Sequence, residues 1–329
     1  MSDTSIDWAE KSWNPVTGCT KKSEGCDHCY AERMAKRLQN MGQARYVNGF
    51  QVTMHESVLT EPEGWAKPSK IFVCSMSDLF HEYVTDDFIK RVFEKMNQLE
   101  RHTFLVLTKR PERLAALASE LQFTANIWVG VTVEHPHYIS RIDVLRTIPA
   151  AKRWISCEPL LESLADTDFT GIDWIVVGGE SGPGARPMDP DWARELDMQC
   201  EWEGIAFFYK QQGAKVGKGS KLLDGVERHQ YPDQEVGGSE SDAGNDGEWI
   251  GGMRRVKVDH IPPLEPGGYM TEWDEEGNEV SHLLLEKGLA ARTIVSPQGE
   301  TVSVDVVEVS ECFGEITALD YDGPSGEAA

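Results

Sequence analysis

Short runs of apolar residues, each bounded by polar or turn-forming residues, punctuate the first two thirds of the chain: Lys70 to Cys74, His102 to Leu107, Ala125 to Val133, Lys152 to Ser156, Asp173 to Val177 and Ile205 to Tyr209. Their hydrophobicity is continuous rather than alternating, the mark of strands buried on both faces. Between them, apolar positions recur at helical spacing over Thr85 to Glu100, Pro111 to Leu121, His135 to Thr147 and Asp189 to Trp202. The last of these predicted helices opens with Asp189 as N-cap and Pro190 at the first helical position. An earlier unit runs from a strand over Trp13 to Gly18, through a cysteine-bearing loop, into a helix over Ala31 to Met41. Strands that alternate with helices lie parallel in one sheet, and about seven such units build an open or closed barrel. The expected fold class is therefore α/β, a TIM-like partial or complete (β/α) barrel.

The pattern changes after Gln234. Residues 235–247 are rich in Gly, Ser and acids and read as a flexible linker. Residues 248–329 alternate apolar and polar positions between turn dipeptides, and Thr301 to Val309 is a strand pattern, so a small β-rich appendage follows the barrel of residues 1–234. Of the formal net charge of −23, 16 units belong to residues 235–329, which carry 5 basic and 21 acidic side chains. A generic duplex binder shows a basic face; here any nucleic-acid contact has to be local. No apolar window is long enough for a membrane span, and residues 1–10 are polar and acidic, so the expected location is the cytoplasm.

Cysteine usage brings in chemistry. Three of the seven cysteines are crowded into Cys19-x6-Cys26-x2-Cys29, while Cys74, Cys157, Cys200 and Cys312 are scattered. That distribution indicates a metal site in a reducing compartment rather than a disulfide framework. Three thiolates on one loop suit three corners of an iron-sulfur cubane, with the fourth iron open to chelate S-adenosylmethionine. The same thiolates with His28 would form a Cys3His zinc site. A structural zinc site usually pairs two ligand knuckles, and no second C-x2-C or C-x2-H occurs downstream.

Polar residues follow strand after strand: Ser75 to Asp78, then Thr108 to Arg110, Glu134, Cys157 and Glu158, and Gly178 to Glu180. In a parallel barrel they share one rim, where active sites form. The segment from Gly178 to Pro187 has glycines for close backbone approach, and Glu180 and Arg186 to grip an amine and an anion. Lys109, Arg110 and Arg113 form a basic cluster at a helix start, suited to phosphate or carboxylate. The tryptophans read as barrel packing, with Trp13 the candidate to stack near the cluster.

In this order, WNPVTGCTKKSEGCDHCYAERMAKR, CSMSDLFH, LVLTKRPERL, ISCEPLL and VVGGESGPGARPM, within residues 6–233, resemble the phage Gp37/Gp68 family of three-cysteine-motif proteins, a divergent branch of the radical S-adenosylmethionine enzymes. The resemblance implies a barrel of the radical S-adenosylmethionine type, with Cys19, Cys26 and Cys29 ligating a 4Fe-4S cluster. It also implies that Ser77, Asp78, Lys109, Glu158, Gly178, Gly179 and Glu180 surround cofactor and substrate. The first cysteine gap is longer than the commonest C-x3-C-x2-C, and His28 stands where a bulky aromatic usually precedes the last cysteine, so Tyr30 is the substitute for stacking on adenine. The function it implies is radical chemistry on a modified nucleobase, most concretely rearrangement of a substituted thymine in phage DNA that evades host restriction, with a flavodoxin-like or ferredoxin-like electron donor. The alternatives are radical repair of a damaged base, or a zinc-binding protein that engages a basic partner through its acidic tail.

Overall fold

The computed structural model describes residues 4, 6–165, 167–215 and 218–232, together with six strands between residues 249 and 308. The chain divides into two units, Met1–Ser239 and Glu240–Ala329.

The first unit is built on seven strands, β1 (Lys11–Trp13), β4 (Lys70–Val73), β5 (Thr103–Thr108), β6 (Ile127–Thr132), β7 (Lys152–Cys157), β8 (Trp174–Gly178) and β9 (Ala206–Gln211). They pair in that order and every pair is parallel. The predicted strand over Trp13 to Gly18 is divided: β1 ends at Trp13, and β2 (Val16–Thr17) pairs antiparallel with β3 (Thr53–Met54). Pro15 explains the break, because it has no N–H to give a ladder. Asn14 turns its side-chain oxygen to Met76 N (2.9 Å) and Ser75 Oγ (3.2 Å) instead of continuing the strand.

Helices α1 (Tyr30–Asn40), α2 (Asp86–Gln98), α3 (Pro111–Leu117), α4 (Ser140–Arg146) and α5 (Pro190–Glu203) fall within one or two residues of their predicted starts, except α4, which is preceded by a 3-10 turn at Pro136–Tyr138. Capping explains the starts. Thr85 accepts from Phe88 N at 3.3 Å at the head of α2, and Asp189 accepts from Asp191 N at 3.0 Å at the head of α5, which ends on left-handed Gly204. No helix occurs among the described residues joining β7 to β8; there Leu160, Leu164, Phe169 and Ile172 cover the sheet from an irregular segment.

Alternate residues of the strands enter two cores. Ile71, Val73, Phe104, Val129, Ile155 and Val177 face the helices, whereas Phe72, Leu105, Trp128, Trp154, Trp174 and Phe208 face the other way. The second set is gathered around Trp8, whose ring centroid lies 4.6 Å from Phe72 on β4, 5.2 Å from Trp154 on β7 and 6.2 Å from Trp174 on β8. In a flat sheet β4 and β8 would stand roughly 19 Å apart at four strand spacings. One indole touching both requires the sheet to curl, and the edge strands β1 and β9 do not pair, so the architecture is an open, partial barrel.

In the second unit, β10 (Trp249–Ile250) and β11 (Met253–Arg254) form one antiparallel pair. Four further strands, β12 (Tyr269–Trp273), β13 (Glu279–Leu285), β14 (Leu289–Val295) and β15 (Thr301–Glu308), form an antiparallel meander. The expected linker at 235–247 lies outside the described residues. No helix among the described residues is long and apolar enough to cross a membrane.

Candidate active site at the mouth of the half-barrel

The cysteine loop runs between β2 and α1, and its entry requires glycine: Gly18 has φ +83°, and a Cβ there would lie 2.2 Å from Gln51 O. Cys26 closes a 3-10 turn and Cys29 is the N-cap of α1. All three thiols are free, partly buried, and line one cavity of about 270 Å³. Donors face their sulfurs. Lys22 N is 3.5 Å from Cys26 Sγ and Arg110 Nη1 is 3.6 Å from Cys19 Sγ, while Ser23 Oγ, 3.9 Å from Cys26 Sγ, gives its own proton to Glu134. Burial, and after it Asp78, pushes the Cys19 thiol up to about 11 against the pull of Arg110; burial also raises Cys29. Burial thus favours the neutral thiol at Cys19 and Cys29.

A lone tetrahedral ion with 2.3 Å bonds would bring its sulfurs within roughly 4 Å of one another. Among the described residues no group of three His, Cys, Asp or Glu side chains is placed to hold a single metal ion. A cubane spreads its ligands over separate corners, and three thiols around one cavity fit that wider demand.

Four polar networks hold the mouth together. Asp78 Oδ1 accepts from Thr108 Oγ1 (2.7 Å) and Phe80 N (3.0 Å), and its Oδ2 from Lys109 N (3.2 Å) and Arg110 Nη1 (3.0 Å). Arg110 spends its remaining N–H groups on Cys19, on both oxygens of Thr20 and on Glu82. His81 Nδ1 accepts from Tyr83 N at 3.2 Å, so its proton sits on Nε2 and is donated to Thr20 Oγ1 at 2.8 Å. Glu134, fully buried, accepts from Lys109 Nζ (3.3 Å), Arg141 Nη1 (2.9 Å) and Ser23 Oγ, tying the cysteine loop to the end of β6. Burial alone would raise its carboxyl, but Lys109, Arg141 and Ser23 outweigh that and hold it below the usual range.

At the far edge, Glu158 Oε2 accepts from Trp8 Nε1 (3.1 Å) and Ser156 Oγ (3.3 Å), while Oε1 meets Lys210 Nζ at 2.5 Å. The glycine segment after β8 crosses toward the cysteine loop: Arg33 of α1 donates to Ser181 O (2.9 Å) and Pro183 O (3.3 Å), and Arg186 to Glu24 O (2.8 Å). Close approach again demands glycine, since a Cβ at Gly184 (φ +83°) would lie 2.9 Å from His28 Cε1.

Of the expected rim residues, Ser77, Asp78, Lys109, Glu158, Gly179 and Glu180 line the cavity that the cysteines share, and Gly178 borders the Glu158 carboxylate. Their engagement differs from expectation in three places. Glu180 and Arg186 grip each other, with Oε1 2.7 Å from Nη2 and Oε2 3.1 Å from Nε. Arg113 leaves the basic cluster for the carbonyls of His81 and Val84 and for Asp86. Trp13 is fully buried on the helix side and donates to Val58 O at 2.9 Å, so the indole at the cavity is Trp8. Tyr30 lines the cavity with its hydroxyl on Ser75 O at 2.7 Å. Trp8 and Lys210 carried no distinguishing signal in the sequence; a tryptophan in a polar N-terminal segment and a lysine ending an apolar strand were their only marks.

Residues 3–251 match the profile of a family described as "Protein of unknown function (DUF5131)". No curated protein matches the chain. Solved structures of spore photoproduct lyase are similar to parts of it. One, complexed with dinucleoside spore photoproduct, is 13% identical with a TM-score of 0.39, covering 60% of this chain and 63% of that one. A second, a mutant with bound AdoMet and the same dinucleoside, is 12% identical with a TM-score of 0.39. A third, another mutant, is 13% identical with a TM-score of 0.40, covering 87% of this chain and 72% of that one. The chain thus spans about three fifths of the length of the first of these.

Proposed function

The chain belongs to the DUF5131 family, and we propose that it is a radical S-adenosylmethionine enzyme acting on a nucleobase. One observation carries the reading: Cys19, Cys26 and Cys29 line the same cavity as the polar ends of β4, β5, β7, β8 and β9. That is where a parallel barrel places reactive groups. A 4Fe-4S cluster with S-adenosylmethionine on its open iron supplies, once reduced, a carbon-centred radical for hydrogen abstraction.

The residues of this chain do the rest. Arg110 and the Lys22 amide direct N–H groups at two sulfurs, which favours the charged thiolates. Glu134 anchors the loop through Ser23. Among the described residues Lys109 keeps two N–H groups beyond its contact with Glu134 and faces the cavity, suited to the carboxylate of the cofactor. Gly178 and Gly179 give a ledge on which backbone approaches a ligand closely. Trp8, Phe72 and Leu107 provide an apolar wall for a planar ring and exclude water from the radical.

The substrate in its most concrete form is a substituted thymine in phage DNA, rearranged so that the DNA escapes restriction; the motif resemblance to the three-cysteine phage proteins supports it. A base in a duplex has to be flipped to enter such a cavity. An external flavodoxin-like or ferredoxin-like protein supplies the electron. Comparing nucleosides of phage DNA made with and without the gene tests the substrate: a modified thymidine that vanishes or shifts in mass without the gene is expected, and an unchanged nucleoside profile would remove this assignment.

A further inference from the structure

Two cation–carboxylate pairs have both members on the cavity wall and in direct contact, Arg110–Asp78 and Lys210–Glu158. The first is saturated: every guanidinium N–H has an acceptor, and each oxygen of Asp78 has two donors. The second is not. Among the described residues Lys210 Nζ touches only Glu158 Oε1, leaving two N–H groups, and Oε1 touches only Lys210, leaving one lone pair. The other oxygen is filled by Trp8 and Ser156, so the free donor and the free acceptor sit side by side, 2.5 Å apart.

Both side chains are mostly withdrawn from water, 19% exposed for Lys210 and 15% for Glu158. Polar capacity left open in such a place marks a site that a ligand completes. Gly178 keeps one flank clear: a Cβ there would come 3.1 Å from Glu158 Oε1 and 3.5 Å from Lys210 Cβ. Trp8, which orients the carboxylate, also walls the cavity with Phe72 and Leu107.

The shape of the missing partner follows from the spacing. A carbonyl oxygen and the neighbouring N–H nitrogen on the edge of an amide or imide ring lie about 2.2 Å apart, from ordinary C=O and C–N bond lengths. Such an edge presents its acceptor to Lys210 and its donor to Glu158 in two nearly parallel hydrogen bonds, with the flat ring against the apolar wall. We propose that Lys210 and Glu158 form the recognition site for the imide edge of a pyrimidine base, Nζ donating to a ring carbonyl and Oε1 accepting from the ring N–H. The inference rests on the reading that the cavity admits a nucleobase, and it names the residues that select the base.

The test uses the full chain and two probes, thymidine and 3-methylthymidine, which lacks the imide proton, followed by ligand-observed NMR. Thymidine is expected to bind at least about tenfold more tightly than its methyl derivative, as loss of a hydrogen bond to a charged group requires. Lys210→Met is expected to weaken both probes about tenfold, since both keep the ring carbonyl, with Lys210→Arg retaining part of the affinity, while Glu158→Ala is expected to abolish the difference between the probes. Equal binding of the two probes to the unaltered protein, or absence of thymidine binding, would overturn the inference without any variant having to fold. Displacement of thymidine by equimolar methionine would also overturn it, since the pair would then hold the amino acid end of the cofactor. Iron content and cleavage of S-adenosylmethionine are measured on the same preparation: iron-loaded, cleaving protein that does not discriminate the probes defeats this inference alone, whereas protein that takes up no iron defeats the functional reading.

Discussion

Arg110 stands between Asp78 and Cys19, with Nη1 3.0 Å from the carboxylate and 3.6 Å from the sulfur. Arg110 and Asp78 are both nearly buried, so the guanidinium is the link by which the end of β5 holds the cysteine loop. Arg110→Ala leaves the Asp78 charge without its partner, and the expected loss of stability is about 3–5 kcal/mol. Arg110→Lys keeps the charge but not the fork, and is expected to recover part of the stability and less of the iron retention. Chemical denaturation and iron analysis of the purified variants check both.

Glu134 predicts the acid side of the stability profile. Its carboxyl is held below the ordinary value of 4.5, so its contribution is complete above that pH and is lost as pH falls through the folded-state value. Glu134→Gln is expected to cost about 3 kcal/mol near neutrality and to flatten the decline below pH 4.5, because the titrating group is gone. Thermal melts of the two proteins from pH 7 to pH 3 should converge toward the acid end.

Gly179 admits no side chain. A Cβ there would stand 2.0 Å from Gln212 O, backbone against backbone, in the turn that follows β8. Gly179→Ala is expected to lose several kcal/mol or to fail to accumulate. Gly64→Ala, where a Cβ meets nothing within 4 Å, is expected to change stability by less than about 0.5 kcal/mol. Melting temperatures of the pair measure the contrast.

Trp8 is the plug of the concave face. Trp8→Ala is expected to cost about 3–5 kcal/mol, as for other buried aromatics. Trp8→Phe preserves much of the packing against Phe72 and Trp154 but removes the N–H that Glu158 Oε2 accepts at 3.1 Å. It should therefore melt close to the parent while binding thymidine more weakly, which calorimetry and NMR titration separate.

Strand positions and most helix positions were legible because they depend on local pattern. The apolar run of β6 and the Asp189–Pro190 start of α5 need no knowledge of distant residues. The β7–β8 connection was harder, since Leu160 and Leu164 have helical spacing but follow Pro159 and pack from an irregular path. The cysteine loop was visible as spacing, and the strand ends as a rim. What stayed hidden was the pairing of charges. Nothing local says that Glu180 takes Arg186 six residues on, or that Asp78 takes Arg110 from the next strand, because those choices are made by loop paths. Trp8 was legible as barrel packing but not as the meeting point of β4, β7 and β8, because only the curl of the sheet brings those strands to one indole.

The central claim is tested most directly by anaerobic reconstitution of the full chain with iron and sulfide, followed by iron analysis and incubation with reductant and S-adenosylmethionine. The account predicts a brown protein with about four irons per chain, reductive cleavage of S-adenosylmethionine to 5′-deoxyadenosine and methionine, and loss of both properties in Cys19→Ala, Cys26→Ala and Cys29→Ala. A folded, colourless protein that holds one zinc and leaves S-adenosylmethionine intact would contradict it.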